Sequence, residues 1–180
     1  EPTNDSDPAP SAVKILQGEF SGDVAAVNTG IVGDFSTSTG KFILATPTTT
    51  ATTDDLSGVW FIDGGSAGLS LPTLDAGWQY EGWAVIGGTP VSTGTFTATD
   101  AADASGIYSG TDAAAPPFPG EDFIMAAPNG LTFPTDLTAA PIVVSVEPIP
   151  DNSAAPFGIK PLIGSSPATG TTVGTPYNMG

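Results

Sequence analysis

The sequence predicts an all-β protein, an antiparallel β-sandwich of about eight to ten short strands joined by long loops rich in Gly, Pro and Thr. Gly (23 residues) and Pro (18 residues) make up nearly a quarter of the 180 residues, which is typical of a chain with many turns. No stretch shows sustained apolar periodicity of the helical kind, and Glu, Lys and Arg are scarce. The 39% of hydrophobic residues suffices for a buried core.

Candidate strands in the first third of the chain follow short alternating or β-branched runs. Residues 1–11 are rich in Pro and Asp and should be extended. The strands that follow are predicted at residues 12–17, 24–28, 41–46 and 58–63. The Thr-rich tract 48–53 offers little to bury, and we expect an exposed loop there.

The clearest predicted element is a hairpin over residues 78–97. Trp78 and Tyr80 share one face of its first strand, and the spacing changes after Gly82, which predicts a bulge. Gly87 and Gly88 supply the turn before the return strand. After a long acidic loop, further strands are predicted at residues 121–127, 141–147 and 158–163.

The two ends of the chain carry versions of one motif. Residues 1–18 align without a gap with residues 147–164, and eight of the eighteen pairs are identical. The identical pairs are Glu1 and Glu147, Pro2 and Pro148, Asp5 and Asp151, Ala9 and Ala155, Pro10 and Pro156, Lys14 and Lys160, Leu16 and Leu162, and Gly18 and Gly164. A motif that both opens the chain and closes a domain indicates tandem units of domain length.

We therefore divide the chain into an N-terminal extended segment and strand (1–18), a β-sandwich domain (19–164) and a tail rich in Gly, Thr and Pro (165–180). The predicted assembly strand consists of Ala12, Val13, Lys14, Ile15, Leu16 and Gln17. We expect it to add to a sheet edge of another copy, with Val13 and Ile15 entering pockets. Pairing of this strand within its own subunit is the open alternative.

The charge balance excludes several kinds of partner. Nineteen acidic residues stand against three lysines, so the net charge of −16 would repel nucleic acid and anionic membrane surfaces. No apolar run is long enough for membrane insertion. The chain begins with Glu, as a processed chain does, lacks Cys, and is rich in Thr, Ser and Gly. These features indicate an extracellular or cell-surface protein.

Catalytic chemistry has little support in the composition. Without His or Cys, the chain cannot form nucleophile–base pairs or transition-metal sites that need imidazole or thiolate. A glycosidase-like pair of carboxylates stays open, but nothing distinguishes one acidic pair from another. We therefore predict a protein that is not an enzyme, with no catalytic residue, no cofactor and no metal-binding residue.

Three weaker binding hypotheses stay open. Asp54 with Asp55, Asp100 with Asp103, and Glu121 with Asp122 could supply oxygen ligands for calcium, although none matches the twelve-residue calcium loop. Trp60, Trp78 and Trp83 could stack on a sugar, although packing is their commoner role. Asn4 begins the sequon Asn4-Asp5-Ser6 and is a possible glycosylation site.

Three stretches carry a family resemblance: Trp78-Gln79-Tyr80-Glu81-Gly82-Trp83, residues 87–96 and residues 143–148. Over about residues 57–164, the chain resembles the C-terminal extracytoplasmic domain of anti-sigma-K factors. The resemblance implies a β-rich fold and transfers no catalytic or ligand-binding residue. The transmembrane helix and cytoplasmic sigma-binding region of membrane-bound members have no counterpart in this sequence.

The favoured function is a non-catalytic, extracellular structural module that self-assembles, as a filament or surface-array subunit, by strand addition of its N-terminal segment. One alternative is a sensor or adhesive ectodomain released from a membrane-anchored, anti-sigma-like protein. Another is a carbohydrate- or calcium-binding β-sandwich. The expected partners are other copies of the chain, with a glycan or calcium as further candidates.

Overall fold

The fold is built from short antiparallel strands. The computed structural model describes residues 14–28, 30, 32–151 and 153–180, and within these ranges it contains thirteen strands and no helix. The strands are β1 (Gln17–Ser21), β2 (Val24–Asn28), β3 (Thr39–Leu44), β4 (Gly58–Trp60), β5 (Ile62–Asp63), β6 (Ser66–Ala67), β7 (Leu69–Ser70), β8 (Trp78–Ile86), β9 (Thr89–Phe96), β10 (Gly120–Asp122), β11 (Ile142–Pro148), β12 (Leu162–Gly164) and β13 (Tyr177–Met179). The predicted all-β, antiparallel class is confirmed.

Nine of the strands form one large sheet, which we call the main sheet. Its order is β10-β4-β3-β13-β12-β11-β8-β9, with β7 paired to β3 outside this path. The neighbouring pairs are antiparallel throughout. The sheet curls until its two end strands, β9 and β10, approach each other, so it resembles a nearly closed barrel. A β-sandwich would enclose its core between two separate sheets. Here a single sheet of nine strands curls round the core.

The apolar core fills the inside of the main sheet. Tyr80 and Ala84 of β8 point inward with Ile142 and Val144 of β11, and all four are at most 1% exposed. Their spacing of two or four residues follows from the alternation of side chains along a strand. Other buried members of this core are Phe42, Leu44, Val59, Phe61, Phe123, Val146, Leu162 and Met179.

A register shift interrupts the β8–β9 hairpin at Gly82, where the sequence predicted a bulge. Gly82 pairs with Gly94 and the next residue, Trp83, pairs with Ser92, so the extra residue is Thr93 in β9. A Cβ atom on Gly82 would lie 2.7 Å from the Phe61 ring and would also collide with Thr93 Oγ1. Glycine at this position therefore lets the bulged strand and the core ring approach the backbone.

The long acidic segment between β9 and β10 joins the two ends of the main sheet. The Ala104 N–H donates a 2.9 Å hydrogen bond to the Thr95 carbonyl in β9. The Asp103 carboxylate accepts a 2.8 Å hydrogen bond from the Gly120 N–H at the start of β10. We call this junction the seam; it connects β9 and β10 through a loop instead of a direct strand ladder.

The C-terminal residues correct the prediction of a tail over residues 165–180. Within that range, β13 pairs with β3 over Tyr177, Asn178 and Met179, and it also contacts β12. Met179 is 5% exposed and belongs to the core. This segment is therefore an integral strand of the main sheet.

We expect Gly82→Ala to destabilise the protein by about 1–3 kcal/mol, because the added methyl group overpacks the contact with Phe61 and Thr93. Urea denaturation followed by tryptophan fluorescence measures the change. Gly106→Ala is the matched control, since no atom lies within 4 Å of a Cβ at that position. Equal stability of the two variants would contradict the role assigned to Gly82.

Candidate functional site

Strands β1 and β2 form a hairpin with exposed apolar side chains, and we call residues 17–28 the N-terminal hairpin. The register places Gly18 opposite Val27 and Phe20 opposite Ala25, so these side chains share one apolar face. Phe20 is 82% exposed and Val27 is 60% exposed. The other face is mixed, because Val24, which is 71% exposed, and Ala26 lie there with the polar residues Gln17, Glu19, Ser21 and Asn28. The hairpin therefore exposes apolar side chains on both faces, and the face with Phe20 and Val27 carries no polar side chain.

The N-terminal hairpin pairs with no other strand in the part of the chain that the structure describes. Gln17, Glu19 and Asn28 line a cleft with Asp75, so the mixed face borders the rest of the protein and the face with Phe20 and Val27 points away from it. A two-stranded hairpin is only marginally stable in water by itself. Its exposed Phe and Val side chains therefore lack the buried surface that normally stabilises such an element.

The predicted assembly strand lies largely outside the strands of the single chain. Lys14, Ile15 and Leu16 are exposed and lie in no strand, and β1 begins at Gln17. Pairing of these residues with another copy stays a prediction, and the boundary expected after residue 18 falls inside β1. Ala12, Val13 and the possible glycosylation site Asn4 lie outside the described residues.

The second copy of the repeated motif forms the end of β11, the connection that follows it, and β12. Glu147 is fully buried and accepts hydrogen bonds from the Ser145 hydroxyl and, at 2.8 Å, from the Phe157 N–H. The Lys160 ammonium donates to the carbonyl oxygens of Pro156 and Phe157. Two of the residues that the copies share, Glu147 and Lys160, thus help to hold this connection in place.

Buried carboxylates surround the seam. Glu121 is fully buried on the core side of β10 and accepts hydrogen bonds from the hydroxyls of Ser105 and Ser109. Burial raises the pKa of Glu121 above its usual value. Burial also raises the pKa of Asp103 to about 6, with a smaller contribution from the negative charge of Glu121. The seam therefore depends on carboxylates that are desolvated and satisfied by hydroxyl and amide donors.

The neighbouring residue Asp122 points to the opposite face of β10. One of its oxygens accepts a 2.6 Å hydrogen bond from Trp60 Nε1, and the other accepts from the Thr48 hydroxyl and, at 2.9 Å, the Thr48 N–H. Thr48 is 1% exposed, so the Thr-rich tract predicted to be an exposed loop begins with an anchored residue. Burial raises the pKa of Asp122 as well.

None of the three acidic pairs considered for calcium forms a convergent set of ligands. Asp100 is exposed, Asp103 and Glu121 are held by donors at the seam, and Asp54 and Asp55 line a separate cleft. Within the described residues, no group of three or more acidic side chains is arranged to hold a metal ion. A cavity of about 190 Å³ lies beside the seam, lined in part by Trp60, Asp103 and Ser109.

The three tryptophans serve as packing residues. Trp60, Trp78 and Trp83 are each at most 4% exposed. Trp83 Nε1 donates a 2.8 Å hydrogen bond to the Ser145 hydroxyl, and Trp78 packs against the ring of Phe157. Buried rings of this kind leave no open face for stacking on a sugar.

No family model, no curated protein and no solved structure matches this chain. Among the described residues, no helix is long and apolar enough to cross a membrane. The resemblance to anti-sigma-K ectodomains therefore remains a prediction from the motifs in β8, β9 and β11.

The pKa of Glu81 generates a prediction about pH. The pKa of Glu81 is raised to about 7, chiefly by burial and to a smaller extent by the negative charges of Glu147 and Asp151, while the hydrogen bond from Ser92 acts in the opposite direction. A pKa raised by folding contributes stability at acidic pH that is lost as pH rises from about 4 to about 7. Asp103, with a pKa of about 6, acts in the same direction. We expect the free energy of unfolding to be larger near pH 4 than near pH 8.

The variant Glu81→Gln should reduce this pH dependence, because an amide oxygen still accepts from the Ser92 hydroxyl but carries no charge. Urea titrations of variant and wild type at both pH values measure the difference. The exposed carboxylate Glu19 provides the control variant Glu19→Gln. If Glu81→Gln and Glu19→Gln reduce the pH dependence of the unfolding free energy equally, the effect comes from overall charge and not from the buried carboxylate.

Proposed function

We propose that this chain is a non-catalytic, extracellular structural module that assembles with other copies of itself through its N-terminal hairpin, as a subunit of a filament or surface array. The observation that supports this proposal is the apolar face of the hairpin, with Phe20 82% and Val27 60% exposed. Exposed apolar surface on a marginal two-stranded element favours an interaction that buries it. Its unpaired strand edges offer main-chain donors and acceptors to a second chain.

The surface charge suggests how such assembly responds to salt. Each copy carries a net charge of −16, so two copies repel each other at low ionic strength. At 0.1 M salt, the repulsion between charges more than about 10 Å apart is largely screened. Burial of apolar side chains is not weakened in the same way, so association should strengthen as salt increases.

The remaining features support a structural role over a chemical one. Glu81, Asp103 and Glu121 accept hydrogen bonds from hydroxyl or amide donors of the protein. The aromatic residues of the motif that resembles anti-sigma-K ectodomains, Trp78, Tyr80 and Trp83, are buried in β8. These residues account for the stability of the barrel-like sheet. An extracellular location is supported by the composition, which lacks Cys and is rich in Thr, Ser and Gly.

Sedimentation velocity over a range of protein and salt concentrations tests the proposal. We expect wild-type protein to associate in a manner that depends on concentration and increases with salt. Val27→Glu should reduce association at least tenfold, because it places a charge in the centre of the apolar face. Far-UV circular dichroism verifies that the variant keeps its fold.

Ile107→Glu is the matched control, since Ile107 is 64% exposed but lies in the loop between β9 and β10, outside the hairpin. This variant should associate as the wild type does. A wild type that stays monomeric at all concentrations, or equal loss of association in both variants, contradicts the proposed function.

A further inference from the structure

The position of β12 in the main sheet makes two demands on its sequence. Leu162 is fully buried in the core, next to Gly40 of β3 and opposite Val144 of β11. Gly164 has no room for a side chain, because a Cβ atom there would lie 2.7 Å from the Asn178 carbonyl oxygen and 2.9 Å from Met179 Cγ. A strand can take this position only if it places a leucine-sized side chain and a glycine two residues apart.

The N-terminal copy of the motif meets both demands. In the alignment, Leu16 corresponds to Leu162 and Gly18 corresponds to Gly164, and both pairs are identical. Lys14 corresponds to Lys160, which caps the carbonyl oxygens before β12. Gln17 corresponds to Ile163, whose side chain is 49% exposed and therefore tolerates a polar replacement. In its own subunit, Leu16 is instead 55% exposed.

We propose that residues 16–18 of one copy occupy the β12 position in the main sheet of a second copy. This inference rests on the proposed function and identifies the surface on the partner that receives the N-terminal segment. In that position Leu16 enters the core, Gln17 lies opposite Val143, and Gly18 lies against β13. The exchange is a strand swap in which equivalent residues make equivalent contacts.

Both strands involved are short. The ladder of β12 has three residue pairs with β11 and one with β13, and Ile163 also exchanges backbone hydrogen bonds with Gly180. Strand β1 pairs only with β2 among the described strands, so its first residues leave without disturbing the main sheet. The opened position then offers main-chain groups of β11 and β13 to the incoming strand.

The exchange also determines the geometry of assembly. The donor surface is the N-terminal segment and the receiving surface is the β12 position, which are different parts of the molecule. A contact between two different surfaces is heterologous, and such contacts produce a filament when the rotation does not close into a ring. Strand exchange therefore accounts for linear growth, which packing of two identical hairpin faces does not.

Disulfide trapping tests this proposal, because the chain has no native cysteine. In one copy, Ile163 lies opposite Val143 across the β11–β12 ladder. A mixture of Gln17→Cys chains and size-tagged Val143→Cys chains should therefore form a mixed disulfide under assembly conditions, after addition of a mild oxidant. Opposed residues in antiparallel strands lie within the distance that a disulfide needs.

Glu19→Cys mixed with Val143→Cys is the control, since a cysteine two residues further along the strand lies beyond disulfide reach. We expect a severalfold higher yield of mixed disulfide from Gln17→Cys, and loss of that yield when Leu16→Asp is added to the donor. Adding Leu162→Ala to the Val143→Cys chain should increase the yield of mixed disulfide, because the substitution weakens β12 of the receiving copy. If the doubly substituted chain fails to fold, the Val143→Cys chain with native Leu162 still provides the test.

Two negative results have different meanings. If wild-type protein does not associate in sedimentation, the proposed function fails and the exchange fails with it. If it associates through the hairpin but Gln17→Cys forms no more mixed disulfide than Glu19→Cys, only the exchange is overturned.

Discussion

The curled form of the main sheet depends on the junction between its end strands. A sheet that curls round an apolar core must either pair its last strand with its first or protect the edges that remain. Here the loop between β9 and β10 bonds to both edges, through the Ala104 N–H on one side and the Asp103 carboxylate on the other. Asp103 and Glu121 lose hydration at this place, and hydroxyl and amide donors offset that cost. The closure is therefore polar, although the core that it encloses is apolar.

Sequence patterns predicted the regular parts of the fold well. The alternation in residues 78–86 and the β-branched run near residue 143 identified β8 and β11, and Val24–Asn28 appeared as predicted. The long predicted strand 58–63 divides at Phe61, whose N–H extends the pairing with β10 to the Pro119 carbonyl, while its own carbonyl accepts from the Gly68 N–H beside the short β5–β6 pair. Strand β13 could not be predicted, because Tyr177 and Met179 are surrounded by Gly, Thr and Pro and show no strand-like run. The strand forms because it pairs with β3, which lies far away in the chain.

Only part of the candidate site could be predicted from the sequence. The repeat singles out the N-terminal residues, but in the single chain the first strand begins at Gln17, and the sequence offers no pattern that joins β1 and β2 into one hairpin. The buried carboxylates could not be separated from solvated ones, because Glu121 receives its donors from Ser105 and Ser109 in a loop without a sequence pattern. Which acidic side chains are desolvated is decided by tertiary contacts, and composition alone indicates a uniformly acidic surface.

The position of β13 has a consequence for the order of folding. It is the last strand in chain order, yet it lies between β3 and β12 in the interior of the main sheet. The chain must therefore supply β13 before β3 and β12 gain their shared neighbour, and until then both strands have unsatisfied backbone groups at the centre of the future barrel. Pairing between strands so far apart in the chain is slow, because loop-closure entropy opposes it before the contacts form. Completion of the main sheet is consequently a long-range event that joins its two halves.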